Sequence, residues 1–216
     1  MYVLPIKLIR RSLTGALLII GLALSVYIVV SLATPKKELA FDLSTLPSLA
    51  LGDWIFRKGS APESQIIEAL SQGEFSHIGV IVSLTPQPLV IHATTDDNPH
   101  LPNQVILSTL EDFISPALAK YFAIARLEHT TDFQQQRVIT WLLEQQGQPF
   151  VLTTRERSPL YCTTLILEAL NQAQITIAPQ WQHINAPLLK GEYLFPRAFA
   201  ELPHLAWQYH SLNQRN

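Results

Sequence analysis

Cysteine is almost absent from this sequence: Cys162 stands alone among 216 residues. A single thiol excludes an internal disulfide framework and any zinc site built on several cysteines. Charge is scarce too, at 15% of the chain where about a quarter is usual, while 48% is hydrophobic, which argues against disorder. The eight glycines form neither G-x-G-x-x-G nor G-x-x-x-x-G-K, so both phosphate-cradling fingerprints are missing.

The scarcity of charge has a location. From Ser12 to Pro35, 24 residues, there is no Lys, Arg, Asp, Glu or His. As a helix this stretch reaches about 36 Å, enough to cross a hydrocarbon core. The expectation is one transmembrane anchor over 12–35, after a short basic segment 1–11 and before a linker 36–50. Lys7, Arg10 and Arg11 on one side outweigh Lys36 and Lys37, which Glu38 offsets, so the N-terminus is expected in the cytoplasm. A cleaved signal peptide is the rival, since Ser31-Leu32-Ala33 has the small-x-small form. The apolar run Leu13–Ala33, at 21 residues, exceeds the usual signal core and favours the anchor.

Beyond the run, Glu38 to Asn216 holds ten Lys and Arg against seventeen Asp and Glu, a net charge of −7 with His neutral. Phosphate backbones repel such a surface, so no nucleic-acid partner is expected. A disulfide-free domain carried outward by an anchor suits a bacterial inner-membrane protein, single-pass, with its folded part, 51–216, in the periplasm.

Within that part the elements read as a mixed α+β domain, an antiparallel sheet with helices against it. Strands are expected at Trp54–Phe56, His77–Leu84, Leu89–Ala93, Gln104–Ser108 and Tyr121–Leu127, the second and third forming a hairpin. Helices are expected at Ser64–Ser71, at Leu110–Ile114, from a cap at Asp132 to Gln146 with Phe133, Val138, Trp141 and Leu142 on one face, and at Tyr161–Ala173 with Ser158 as its cap. The tail after Pro187 reads as loops and short turns.

Cys162 lies in the first turn of the last helix, where unpaired N–H groups and the positive dipole end stabilise a thiolate and lower its pKa. The bland alternative is a small buried hydrophobe. A thiolate nucleophile needs a base, and His77 and His92, each within an apolar strand-like run, stand apart from the other five histidines. On adjacent antiparallel strands one can act as base and the other can orient it. A two-histidine metal site lacks a carboxylate at ligand spacing, and no cofactor or metal is expected.

The order Gly52-Asp53-Trp54-Ile55-Phe56, Phe75-Ser76-His77-Ile78-Gly79-Val80, Val90-Ile91-His92-Ala93, Gly147-Gln148-Pro149-Phe150, Tyr161-Cys162-Thr163-Thr164-Leu165 resembles the YiiX/YaeF-like permuted papain-fold cysteine amidases. These are relatives of NlpC-type cell-wall peptidases and of lecithin retinol acyltransferase. The resemblance covers about Leu51 to Leu170 and implies a permuted papain-like, NlpC-type fold in which the histidine strand precedes the cysteine helix. It implies Cys162 as nucleophile, His77 as general base and then acid, and His92 in the third, polar position where close relatives often carry a carboxylate. Tyr161, Asp53 and Ser76 would line the oxyanion or substrate pocket. The implied activity is hydrolysis of an amide, cell-wall peptide or lipid-linked, through an acyl-enzyme. A lipid thioesterase or acyltransferase, or an inactive envelope-binding module, are the alternatives.

Overall fold

In the computed structural model the described residues are Phe41, 43–186 and 189–214. The expected basic segment 1–11, the anchor 12–35 and the start of the linker lie outside them. Among the described residues no helix is long and apolar enough to cross a membrane.

The described residues form eight strands: β1 (Trp54–Gly59), β2 (His77–Ser83), β3 (Leu89–Thr94), β4 (Gln104–Thr109), β5 (Ala119–Leu127), β6 (Gln182–Ala186), β7 (Leu189–Tyr193) and β8 (Leu205–His210). The helices are α1 (Pro62–Ser71), α2 (Leu110–Phe113), α3 (Asp132–Glu144), α4 (Cys162–Gln172) and α5 (Pro196–Ala200). Six strands make one antiparallel sheet in the order β4-β3-β2-β1-β5-β8, and β6 pairs with β7 as a separate hairpin.

The central strands are apolar on both sides because the sheet is covered on both faces. Trp54, Phe56, Ile78, Val80, Ile91 and Ala123 pack with Leu165 and Ile166 of α4 and with Val138 and Leu142 of α3. On the opposite face Ile55, Ile81, Val90 and Ile124 pack with Phe41, Leu110, Phe113 and Ile114. Two-sided burial turns the usual alternation into near-continuous β-branched runs, as in Ile78-Gly79-Val80-Ile81-Val82. Gly79 sits where β2 and β3 press together: a Cβ there would lie 2.5 Å from Val90 Cγ1 and 3.2 Å from the Ile91 carbonyl oxygen.

Several local expectations change. Thr131, not Asp132, caps α3: its hydroxyl accepts from Gln134 N at 3.2 Å while Gln134 Oε1 accepts from Thr131 N at 3.1 Å. Phe133 is 71% exposed, so it lies off the packed face of α3. Ser158 does not cap α4; its φ of +51° ends a 3-10 turn, and Leu160 bridges to Val151 before the helix begins. Tyr161 is the cap residue, and its N–H donates to Thr164 Oγ1 at 2.9 Å. The tail after Pro187 contributes β7, α5 and β8 in place of loops, with β8 forming a sheet edge beside β5.

Candidate active site

His77 opens β2 and Cys162 opens α4, so both stand at element ends, where side chains escape the packed layers. They line one cavity of about 370 Å³, together with Tyr161, Ser76, Arg57 and Asp97. The two imidazoles of the expected triad meet directly: His77 Nε2 lies 2.9 Å from His92 Nδ1. The other nitrogen of His92, Nε2, lies 2.9 Å from Ser108 Oγ. Both rings rest on Phe113, with centroid separations of 5.5 Å and 4.8 Å.

Arg57 and Asp97, neither of them expected at the site, complete the cluster. Arg57 NH2 donates to both carboxylate oxygens of Asp97 at 2.7 Å, and its NH1 donates to the Phe113 carbonyl at 2.9 Å. Asp97 Oδ2 stands 3.6 Å from His92 Nδ1. No carboxylate falls at ligand spacing from the histidines along the sequence, yet the fold brings Asp97 beside them. Asp97 follows β3 in a turn, and chain folding rather than regular spacing brings it back. A signal did exist: an arginine inside the apolar run Trp54-Ile55-Phe56-Arg57 has to find a buried anion.

Electrostatics sets the resting protonation. Burial drives His92 down to about 3, with the charge of Arg57 adding to the effect and Asp97 opposing it. Burial, then the charges of Arg57 and His92, hold His77 well below the usual imidazole value. Asp97 is lowered to about 2 even though burial favours its neutral form, because Arg57 and the two histidines outweigh that penalty. For Cys162 the expected lowering is corrected. Burial pushes the thiol up to about 11, outweighing the backbone N–H groups of Ile78 and Thr163 and the charge of Arg57. At rest the pair is a neutral thiol and a neutral imidazole. Among the described residues the sulfur makes no hydrogen bond to either ring; it takes backbone N–H groups.

The three subsidiary positions divide. Tyr161 lines the cavity, its hydroxyl accepts from Leu194 N at 2.9 Å, and burial keeps it protonated. Ser76 lines the cavity too, but its hydroxyl is occupied by the Gly59 N–H at 2.9 Å. Asp53 is a correction: it is not among the residues lining the cavity. Its carboxylate is fully buried against Arg126, at 2.7 and 2.9 Å, and accepts from Ala50 N at 2.7 Å. Its role is to tie the segment before β1 to β5.

The family model described as permuted papain-like amidase enzyme, YaeF/YiiX, C92 family, matches residues 48–204. The chain belongs to the YaeF/YiiX C92 family. These amidases are cysteine hydrolases, so the chain is an enzyme of that class. No curated protein matches it. Among solved structures, the metalloprotein yiiX from Escherichia coli O157:H7 shares the fold. Identity is 20% with a TM-score of 0.58, covering 73% of this chain and 94% of that one. β2, which begins with His77, precedes α4, which begins with Cys162.

Proposed function

We propose that this chain is a membrane-anchored cysteine hydrolase of the bacterial inner membrane. Its folded part faces the periplasm and cleaves an amide of a cell-wall peptide or a lipid-linked group through an acyl-enzyme on Cys162. The observation that carries the reading is the placement of Cys162 and His77 against one cavity, with His92 hydrogen-bonded to His77. The uncharged stretch Ser12–Pro35 supports the anchor.

His77 Nε2 is engaged by His92, which leaves Nδ1 to accept the thiol proton. As the substrate carbonyl binds, proton transfer from Sγ to His77 accompanies formation of the S–C bond, and the imidazolium then exists only transiently. Its charge is offset by Asp97, near His92 and held in place by Arg57. The Cys162 N–H, at the start of α4, is suited to the developing oxyanion. His77 returns the proton to the leaving amine. Water, deprotonated by His77, then attacks the thioester, releasing the acid and the Cys162 thiol.

The yiiX protein from Escherichia coli is described as a metalloprotein. In this chain the donor atoms of His77, His92 and Asp97 lie within 4.8 Å of one another. They do not fit an ion as arranged. Two imidazole nitrogens on one tetrahedral zinc are about 3.3 Å apart, whereas these share a hydrogen bond at 2.9 Å, and both Asp97 oxygens serve a guanidinium. No step here passes through a metal.

Incubation of the full chain with purified cell wall and, separately, with phospholipid extract tests the proposal. Intact-mass measurement looks for an acyl adduct on Cys162, with Cys162→Ser and His77→Ala alongside. Released products and an adduct lost in Cys162→Ser are expected; absence of both from either substrate overturns it.

A further inference from the structure

We propose that Glu128, His129 and His204 form a binding site for a divalent transition-metal ion of the zinc class, which clips β8 to β5. The site lies outside the catalytic cavity, and the inference does not depend on the hydrolase reading.

The three residues stand at one end of the β5–β8 pairing. Leu127 pairs with Leu205, and one step further the Glu128 N–H donates to the His204 carbonyl at 2.9 Å. Successive side chains of an extended strand point to opposite faces, so a continued β5 would hold Glu128 and His129 apart. His129 instead has a φ of +61°, a left-handed conformation that histidine tolerates better than most residues. That turn brings its ring against His204, with centroids 5.4 Å apart and planes at 74°. The turn is held on both sides: Thr130 Oγ1 donates to the Leu127 carbonyl at 3.4 Å, and Thr131 caps α3.

One donor atom from each of the three residues lies within 4.8 Å of the other two. Ligand atoms on a tetrahedral zinc sit about 3.3 Å apart. All three side chains are exposed, so rotation about their χ bonds closes that difference without moving the backbone. Among the described residues, no hydrogen bond or ion pair engages any of the three side chains, so an ion displaces nothing. The donors of His77, His92 and Asp97 differ in this respect, being occupied by one another and by Arg57. Two neutral imidazoles and one carboxylate suit zinc, nickel or copper(II) and leave a fourth position to water.

The ion's work is structural. β1 pairs Arg57 with both His77 and Phe122, which marks the catalytic end of the sheet. From Phe122 to Glu128 an extended chain runs roughly 20 Å, so the ion stands well away from His77. β8 is an edge strand paired only with β5. An ion bound by Glu128 and His129 after β5, and by His204 before β8, fixes the open end of that pairing.

The test uses the full chain in detergent micelles, stripped with EDTA and then titrated with zinc. Calorimetry should give one zinc per chain at this site, and the thermal midpoint should rise by about 5–10 °C at a hundredfold excess of zinc over its Kd. His129→Asn keeps the left-handed turn, which asparagine also tolerates, and should remove the rise, as should His204→Gln. If His204→Gln does not fold, Glu128→Gln takes its place with the same expected loss. The rise should persist in Cys162→Ser and in His77→Ala. No zinc binding by the wild-type chain overturns the proposal. So does a rise that survives His129→Asn, or one lost in His77→Ala, which would assign the ion to the catalytic cluster.

Discussion

His77 Nε2 approaches His92 Nδ1 to 2.9 Å, and that single contact decides which tautomers are productive. For His77 Nδ1 to accept a proton, Nε2 must carry one and donate it to His92 Nδ1. His92 then carries its own proton on Nε2 and donates to Ser108 Oγ, 2.9 Å away. The reverse assignment leaves His77 protonated on Nδ1, with its one basic nitrogen taken up by His92. In the proposed mechanism, three side chains in series therefore hold the base ready.

A graded series of losses follows. Cys162→Ser and His77→Ala each lower kcat by about a thousandfold or more, since a bond or proton transfer disappears. His92→Ala lowers it about ten- to a hundredfold, because an orienting partner alone is lost. Ser108→Ala falls below His92→Ala, with kcat rather than KM affected and Ser108→Thr restoring part of it. Steady-state kinetics on one ester checks the order; Ser108→Ala exceeding His92→Ala would break the serial arrangement.

The buried thiol makes a prediction about alkylation. With Cys162 pushed up to about 11, iodoacetamide should label the resting protein slowly at pH 7. The rate should climb about tenfold per pH unit between pH 8 and 10, following the thiolate fraction. Fast labelling at pH 6 would show an ion pair already present at rest.

Stability should fall on mild acidification. Both imidazoles are depressed in the folded state, His92 to about 3. Below the ordinary value of about 6.5 the unfolded chain binds protons that the folded chain refuses, so stability drops as pH falls from 6.5 toward 3. Each buried imidazole contributes a slope of up to about 1.4 kcal/mol per pH unit. Asp97 acts at lower pH: its pairing contributes above about 4 and is lost as pH falls through 2. Denaturant unfolding from pH 7 to 4 should show a shallower slope for His92→Gln than for wild type.

Asp53 supplies a structural control. Asp53 is fully buried and Arg126 partly exposed, so Arg126→Ala leaves a buried carboxylate with one backbone partner. The cost should be about 3 kcal/mol, at the low end for a broken buried pair. Thermal unfolding should show the loss, while kcat/KM of the folded fraction stays near wild type.

Much of this was legible in the linear chain. The β-branched runs of β2 and β3 announced strands, their short connection announced a hairpin, and the two histidines were visible because imidazoles are conspicuous in apolar runs. Less visible were β6 and β7, short half-polar strands such as Gln182-His183-Ile184-Asn185-Ala186 that form a hairpin apart from the main sheet, and β8, an edge strand held by β5, distant in sequence. Phe133 misled the reading of α3 because periodicity shows which residues share a face and not which face meets the core.

Residue identities and short-range patterning, then, determined the layered α+β architecture and the chemistry on offer: one sulfur and two imidazoles on neighbouring elements. Only the folded chain decided that Asp97 and Arg57 join them, that Asp53 serves a scaffold, and that thiol and imidazole rest uncharged. The physical reason is that ion pairing and desolvation depend on which groups are enclosed together in three dimensions, and spacing along a chain carries no record of that enclosure.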